Sequence, residues 1–250
     1  MRPKSASEIE AMRRGGQMLA QVLNMLKQEL AVGMTTQELS DKAEAELRRL
    51  GGQPAFKGYQ GFPAALCTSI NQEIVHGIPS AKRRIAEGDV VKLDFGVRYK
   101  GLITDSAITV IAGGKTPEKA VTQLVEATER SLYAGIDAIK GEGTHLGDIG
   151  AAVQAVLDKA GLGIIRELVG HGVGDGIHED PNVANYGAKG SGQMLRAGMT
   201  IAIEPMAALG DWAINILPNG VVEMKDGSIG AHFEHTVVIT ENGAEILTQP

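Results

Sequence analysis

The sequence predicts an α/β protein of the α+β kind, built as two similar halves, each of two helices followed by antiparallel strands. Three observations carry that expectation. Four segments repeat apolar residues at helical period, apolar strand-like runs follow the second and the fourth of them, and the pattern starts again near residue 116. The halves are therefore expected at about residues 1–115 and 116–250 of a single domain.

The first helix is marked by Ser7-Glu8-Ile9-Glu10, which has capping-box spacing, and by apolar residues at Ile9, Met12, Leu19, Val22, Leu23 and Leu26 before Gly33. A second starts at Thr35, with Glu38 three residues on, and stops at Gly51-Gly52. Thr116-Pro117 offers an N-cap and a first-position proline for a third helix ending near Gly141, and a fourth runs from about Leu146 to Gly161. Strand-like runs lie at Val90 to Val97, Ser106 to Ile111, Met199 to Ile203 and Thr236 to Thr240.

Composition narrows the function classes. With 24 Lys+Arg against 30 Asp+Glu the net charge is -6, so no overall basic field exists for nucleic acid or an anionic membrane. No run approaches the ~20 apolar residues of a membrane helix. A lone Cys67 cannot pair within the chain, and no apolar stretch follows the opening residues, so a cytoplasmic location is expected. The 33 glycines are about twice the usual share of roughly 7% and imply many tight turns and close backbone approaches.

The internal repeat also locates chemistry. Gly88 precedes Asp94 by the same six residues by which Gly198 precedes Glu204, and each acid interrupts an apolar strand; Asp105 and Glu234 each open one. An ionised carboxylate inside an apolar strand costs several kcal/mol unless it is paired or metal-bound. One such acid is explained by a frayed edge or a nearby Lys or Arg. Four at repeat-related positions, with no basic partner at matching places, point to a shared cation, and four carboxylates suit two divalent ions better than one.

The run from Gly170 to His178 adds imidazole, the usual companion of carboxylate for Mn, Fe, Co or Zn. It lacks the following helix of a dinucleotide fingerprint and the second histidine of a zincin helix, and its bland reading is a glycine-rich turn. His76 is open between a satisfied core histidine and a site residue. His145 reads as a helix-start residue. His232 shares strand parity with Glu234 and His235 should face away, both at most supporting the site. Lys82-Arg83-Arg84 is a short basic run, either a solvated loop or a docking patch.

Taken together, Asn71 to Pro79 around His76, Leu93-Asp94, Asp105, Gly170 to Gly174, His178-Glu179, Ile203-Glu204-Pro205 and Phe233 to Thr236 resemble the type I methionine aminopeptidases over nearly the whole chain. The resemblance implies a pseudo-two-fold "pita-bread" fold and two divalent metal ions (Co, Mn, Fe or Zn) held by Asp94, Asp105, His171, Glu204 and Glu234, with Asp105 and Glu234 bridging. It implies that His76 and His178 contact substrate, and that Tyr59, Phe62, Cys67 and Ile177 help line a methionine pocket. The implied reaction removes the initiator methionine from N-terminal peptides of nascent proteins with a small second residue. A hydroxide shared by the metals attacks the first peptide carbonyl and Glu204 moves its proton. Transient ribosome contact through the basic loop near Lys82 is a further expectation; no membrane and no specific nucleic acid are expected as partners.

Three positions depart from the pattern. Gly96 stands where relatives commonly carry a hydroxyl that orients a ligand, Ile177 stands where an aromatic is common, and Trp212 to Gly220 looks long and carries the only tryptophan away from the pocket. The rival readings are a proline-specific dipeptidase of the same fold, which normally carries an additional N-terminal domain, and a non-catalytic binding protein. Metal-dependent cleavage of a Met-Ala-Ser peptide separates the last from an enzyme.

Overall fold

Four helices form where local chemistry starts and stops them: Ala6–Glu29, Thr36–Leu50, Lys119–Asp137 and Leu146–Ala160. The computed structural model describes residues 1–114 and 118–250. Helix α1 (Ala6–Glu29) is capped two residues earlier than the sequence reading placed it. Ser5 Oγ accepts from Glu8 N while the Glu8 carboxylate accepts from Ser5 N, so of the two equally spaced pairs, Ser5/Glu8 and Ser7/Glu10, the first forms the cap. Helix α2 (Thr36–Leu50) has the expected Thr35/Glu38 box and ends on Gly51 at φ 90. The proposed Thr116-Pro117 cap of α3 (Lys119–Asp137) lies outside the described residues. His145 caps α4 (Leu146–Ala160) as a helix-start residue, its N–H donating to Asp148 Oδ2 at 2.8 Å.

The main sheet runs, strand by strand, Gln53–Pro54, Val90–Tyr99, Leu102–Ile111, Glu234–Thr240, Thr200–Ile203, Gly170–Gly172 and Glu179–Val183. Its centre is the junction of the two halves, where Ala107 faces Glu234 and Ser106 faces His235 in antiparallel register. Leu66–Ile70 pairs with the Val90–Tyr99 strand and places Cys67 opposite Asp94.

Alternation decides what reaches the site. Val91, Leu93, Phe95 and Val97 join Leu19, Val22, Leu26, Leu39 and Leu47 of α1 and α2 in one core, leaving Lys92, Asp94 and Gly96 for the opposite face. In the second half Ile201, Ile203, Val237 and Ile239 pack against Leu132, Ile136 and Ile149 of α3 and α4. The helices thus cover one face, and the acids emerge on the other. A three-stranded sheet of Ile214–Ile216, Val222–Met224 and Glu73–Val75 closes that second face beside His76.

Two sequence expectations shift. Asp105 does not open its strand: pairing begins at Leu102, because the turn at Lys100 (φ 49) and Gly101 (φ 85) returns the chain directly into the ladder. Glu204 is not strand-interior either, since its strand ends at Ile203 and Pro205, lacking an N–H, follows.

Candidate metal centre

The chain's polarity at the centre is built from main-chain clamps that leave carboxylates free. Asp105 N donates to Thr236 Oγ1 at 2.9 Å and the Thr236 hydroxyl donates to Asp105 O at 2.8 Å. Ser106 Oγ donates to Glu234 O at 2.5 Å, and Asn185 Nδ2 donates to Glu204 O at 3.0 Å. With their backbones thus satisfied, Asp105 and Glu234, only 3% and 2% exposed, each keep a carboxylate oxygen with no hydrogen-bond partner among the described residues, as does Asp94. Orphaned acceptors of this kind are expensive in an interior and call for a counter-charge.

The same three-dimensional placement brings in a histidine. One ligand atom each from Asp105, His171 and Glu234 lies within 4.8 Å of the others. His171 Nδ1 lies 3.0 Å from Gly172 O, so the Nδ1–H donates to that carbonyl and Nε2 keeps a free lone pair, 3.3 Å from Glu204 Oε1. Asp94 reaches the group from the neighbouring strand. All five sequence-predicted ligands line one cavity of about 360 Å³.

Electrostatics agree with geometry. Burial, then the charge of Asp105, pushes the Asp94 carboxyl well above its ordinary range. Burial pushes Asp105 up to about 7 although the Ser106 N–H opposes it. Glu204 and Glu234 rise by burial and then by neighbouring acids, while burial and then His178 lower His171 to about 4. Several acids that cannot all ionise together, beside an imidazole held neutral, form a donor set for divalent cations. The residues present fit such ions.

The remaining predicted residues line the same cavity: Tyr59, Phe62, Cys67, His76, Ile177 and His178. His178 stacks edge-on to His171 with ring centroids 4.5 Å apart, and its Nδ1 lies 3.2 Å from the Tyr59 hydroxyl. His76 is exposed toward the cavity, not a core residue, and adopts the left-handed region at φ 62. Gly77 beside it must be glycine, since a Cβ would overlap the Thr68 carbonyl. Desolvation by the cavity walls holds both histidines below the usual imidazole range.

Gly96 has a physical reason. A Cβ there would lie 2.6 Å from the Phe56 ring, so an aromatic wall occupies the place a hydroxyl would need. Trp212 indeed stays outside the cavity, 39% exposed beside Arg166, whereas Asn219 and Gly220 of the same segment line it. His235 faces away, toward Thr248 and Tyr133. Of the basic run, Arg83 pairs with Glu73 and Arg84 holds Gly33 O.

Sequence reasoning missed Phe56, Leu168, Met206 and Asn219 in the lining. Phe56 carried a signal, as a third ring in the stretch with Tyr59 and Phe62. It also underrated His232, whose Nε2 lies 3.5 Å from Glu204 Oε2.

Comparison with known proteins agrees with this geometry. The model of metallopeptidase family M24 matches residues 10–241. A methionine aminopeptidase of Clostridium acetobutylicum is 42% identical over 246 residues, covering 98% of this chain and 97% of that one. Methionine aminopeptidase 1 of Bacillus subtilis is 40% identical, with 98% of each chain covered. The crystal structure of a methionine aminopeptidase from Thermotoga maritima superposes with a TM-score of 0.97 at 43% identity, covering 100% of both chains. A prolidase from Pyrococcus furiosus shares the fold at a TM-score of 0.79 and 25% identity, but this chain covers only 65% of it.

Proposed function

Because the chain belongs to metallopeptidase family M24, we propose that it is a metal-dependent aminopeptidase that removes methionine from the N-termini of polypeptides. One observation carries the reading: the buried Asp105, His171 and Glu234 donors converge at the floor of a cavity whose wall is aromatic and sulfur-bearing. Divalent ions bound there would polarise the scissile carbonyl and activate water at neutral pH. Asp94, Asp105, His171, Glu204 and Glu234 would hold them, Asp105 and Glu234 reaching in from the two central strands.

The protein's own groups do the rest. His76 and His178, neutral at working pH, donate hydrogen bonds to the substrate carbonyl region as charge develops. Tyr59, through its contact with Nδ1, orients the His178 ring. Glu204 carries the proton from the attacking water toward the leaving amine. Tyr59, Phe62, Cys67 and Ile177 receive the methionine side chain, whose polarizable sulfur gains from ring edges. A small second residue is preferred, and the natural substrates are nascent chains. Docking to the ribosome near Lys82, exposed beside the paired Arg83, belongs to the same reading.

A prolidase reading is less favoured, since over the shared length identity is 43% with a methionine aminopeptidase and 25% with the prolidase. Comparing Met-Ala-Ser, Leu-Ala-Ser and Met-Lys-Ser peptides tests the specificity. Apolar fit discriminates by about 1–3 kcal/mol, so methionine should exceed leucine clearly and norleucine only slightly. Equal rates for the first two peptides, or fast cleavage of the third, would mean a broader aminopeptidase.

A further inference from the structure

His232 ends the short strand Gly230–His232, is 1% exposed, and has no hydrogen-bond partner at either ring nitrogen among the described residues. A neutral imidazole carries one donor and one acceptor, and an interior that leaves both unmet calls for a reason. Its main chain is clamped on both sides. The His232 N–H donates to Thr109 Oγ1 at 3.0 Å, and the Thr109 hydroxyl donates to His232 O at 2.6 Å. Antiparallel pairing of Met206 with His232 then fixes this residue beside the chain leaving Glu204.

The ring consequently stops with Nε2 3.5 Å from Glu204 Oε2, while Glu204 Oε1 lies 3.3 Å from His171 Nε2. One imidazole stands at each oxygen of a single carboxylate. Glu204 needs such help more than its counterpart Asp94, because it lies just past the end of its strand and no ladder continues through it.

We propose that His232 is a positioning residue, donating from Nε2 to Glu204 Oε2 and so holding Oε1 toward His171 and the cavity. The inference rests on Glu204 being the proton carrier of the aminopeptidase reading. A separation of 3.5 Å is long for a hydrogen bond, and contacts of this type tighten in the substrate complex. Partners one layer outside metal ligands typically change activity or metal affinity by about 10–100-fold when removed.

The test exploits the two ring nitrogens. The amide nitrogen of glutamine reaches where Nε2 lies, and that of asparagine reaches only as far as Nδ1. With Met-Ala-Ser peptide, His232→Gln should keep kcat within about threefold of the parent. His232→Asn and His232→Leu should each lower it about 10–100-fold with KM within about twofold. Calorimetric titration of metal-stripped protein should show unchanged stoichiometry in all three. Equal kcat for the Gln and Asn variants would reduce His232 to a buried polar filler, and loss of a metal equivalent would make it a ligand; either overturns the proposal. Should His232→Leu unfold, the two amides alone decide. If the parent protein does not cleave the peptide, the functional reading fails, whereas the positioning role is still judged by Zn²⁺ affinity: parent and Gln above Asn supports it, and equality contradicts it.

Discussion

The two halves of the molecule hold their acids differently. In the first, Asp94 and Asp105 lie in mid-strand, on strands paired residue for residue from Val90–Ile111 to Tyr99–Leu102. In the second, Glu204 lies beyond a four-residue strand, and Glu234 is the first residue of one of seven. The second half also supplies His171, His178 and His232, the first only His76. A continuous ladder fixes a side chain's origin and suits a static ligand. A strand end leaves room to reorient, which suits a group that must take up and release a proton. The repeat therefore supplies a frame, and chemistry concentrates where the second copy departs from it.

Removing a fixed carboxylate should have the largest effect. Asp105→Asn is expected to bring peptide turnover below detection and weaken metal binding, read by assay and calorimetry, because an amide cannot replace a shared carboxylate. Full activity in that variant would falsify the bridging assignment.

Second-half groups should separate rate from binding. Glu204→Gln is expected to lower kcat by about 10²–10⁴ while weakening metal binding less than Asp105→Asn does. His178→Ala should lower kcat by about 10²–10³ with metal stoichiometry intact. Were His178→Ala to lose metal in step with activity, His178 would be a ligand and the division of labour between halves would be wrong.

Much of this division was readable in the sequence, and the unreadable part has a physical cause. Capping-box spacing and helical period announce α1, with its cap two residues late, and α2, and helical period alone announces α4, because those signals are local. The repeat announced all four acids, because a buried carboxylate contradicts the strand around it. Three-residue strands such as Gly230–His232 were not readable, since pairing with Met206–Ala208 depends on contacts 22 to 26 residues away in the chain. His232 was undervalued for that reason. Gly96 read as a missing hydroxyl until the Phe56 ring was seen in its place.

Acidity gives a smaller effect of definite sign. In metal-free protein Asp94, Glu204 and Glu234 are raised and Asp105 sits at about 7, so the folded state keeps protons that the unfolded chain releases near its ordinary pKa of about 4. Their contribution to stability is present below that range and is lost as pH rises, through about 7 for Asp105. Thermal melts of the metal-stripped protein should fall across this window, and Zn²⁺ added at pH 6 should release protons, seen as buffer-dependent heats. A flat profile, with no proton release, would remove the electrostatic argument for the cluster.

The smallest change concerns packing. Gly96→Ser should cost about 1–3 kcal/mol through overpacking against Phe56, lowering the melting temperature. The same substitution at the solvent-exposed Gly101 is strained only by its φ of 85. Gly96→Ser without loss of stability would show that the aromatic wall yields.

The central claim is that the buried acids and His171 form a metal centre that makes this cavity an aminopeptidase site. Metal-stripped protein should release no free methionine from Met-Ala-Ser, and stepwise addition of Mn²⁺, Fe²⁺, Co²⁺ or Zn²⁺ should restore release in parallel with metal bound to the parent, but not to Asp105→Asn. Undiminished release of methionine without metal, or metal uptake with no release under any of the four ions, would contradict it.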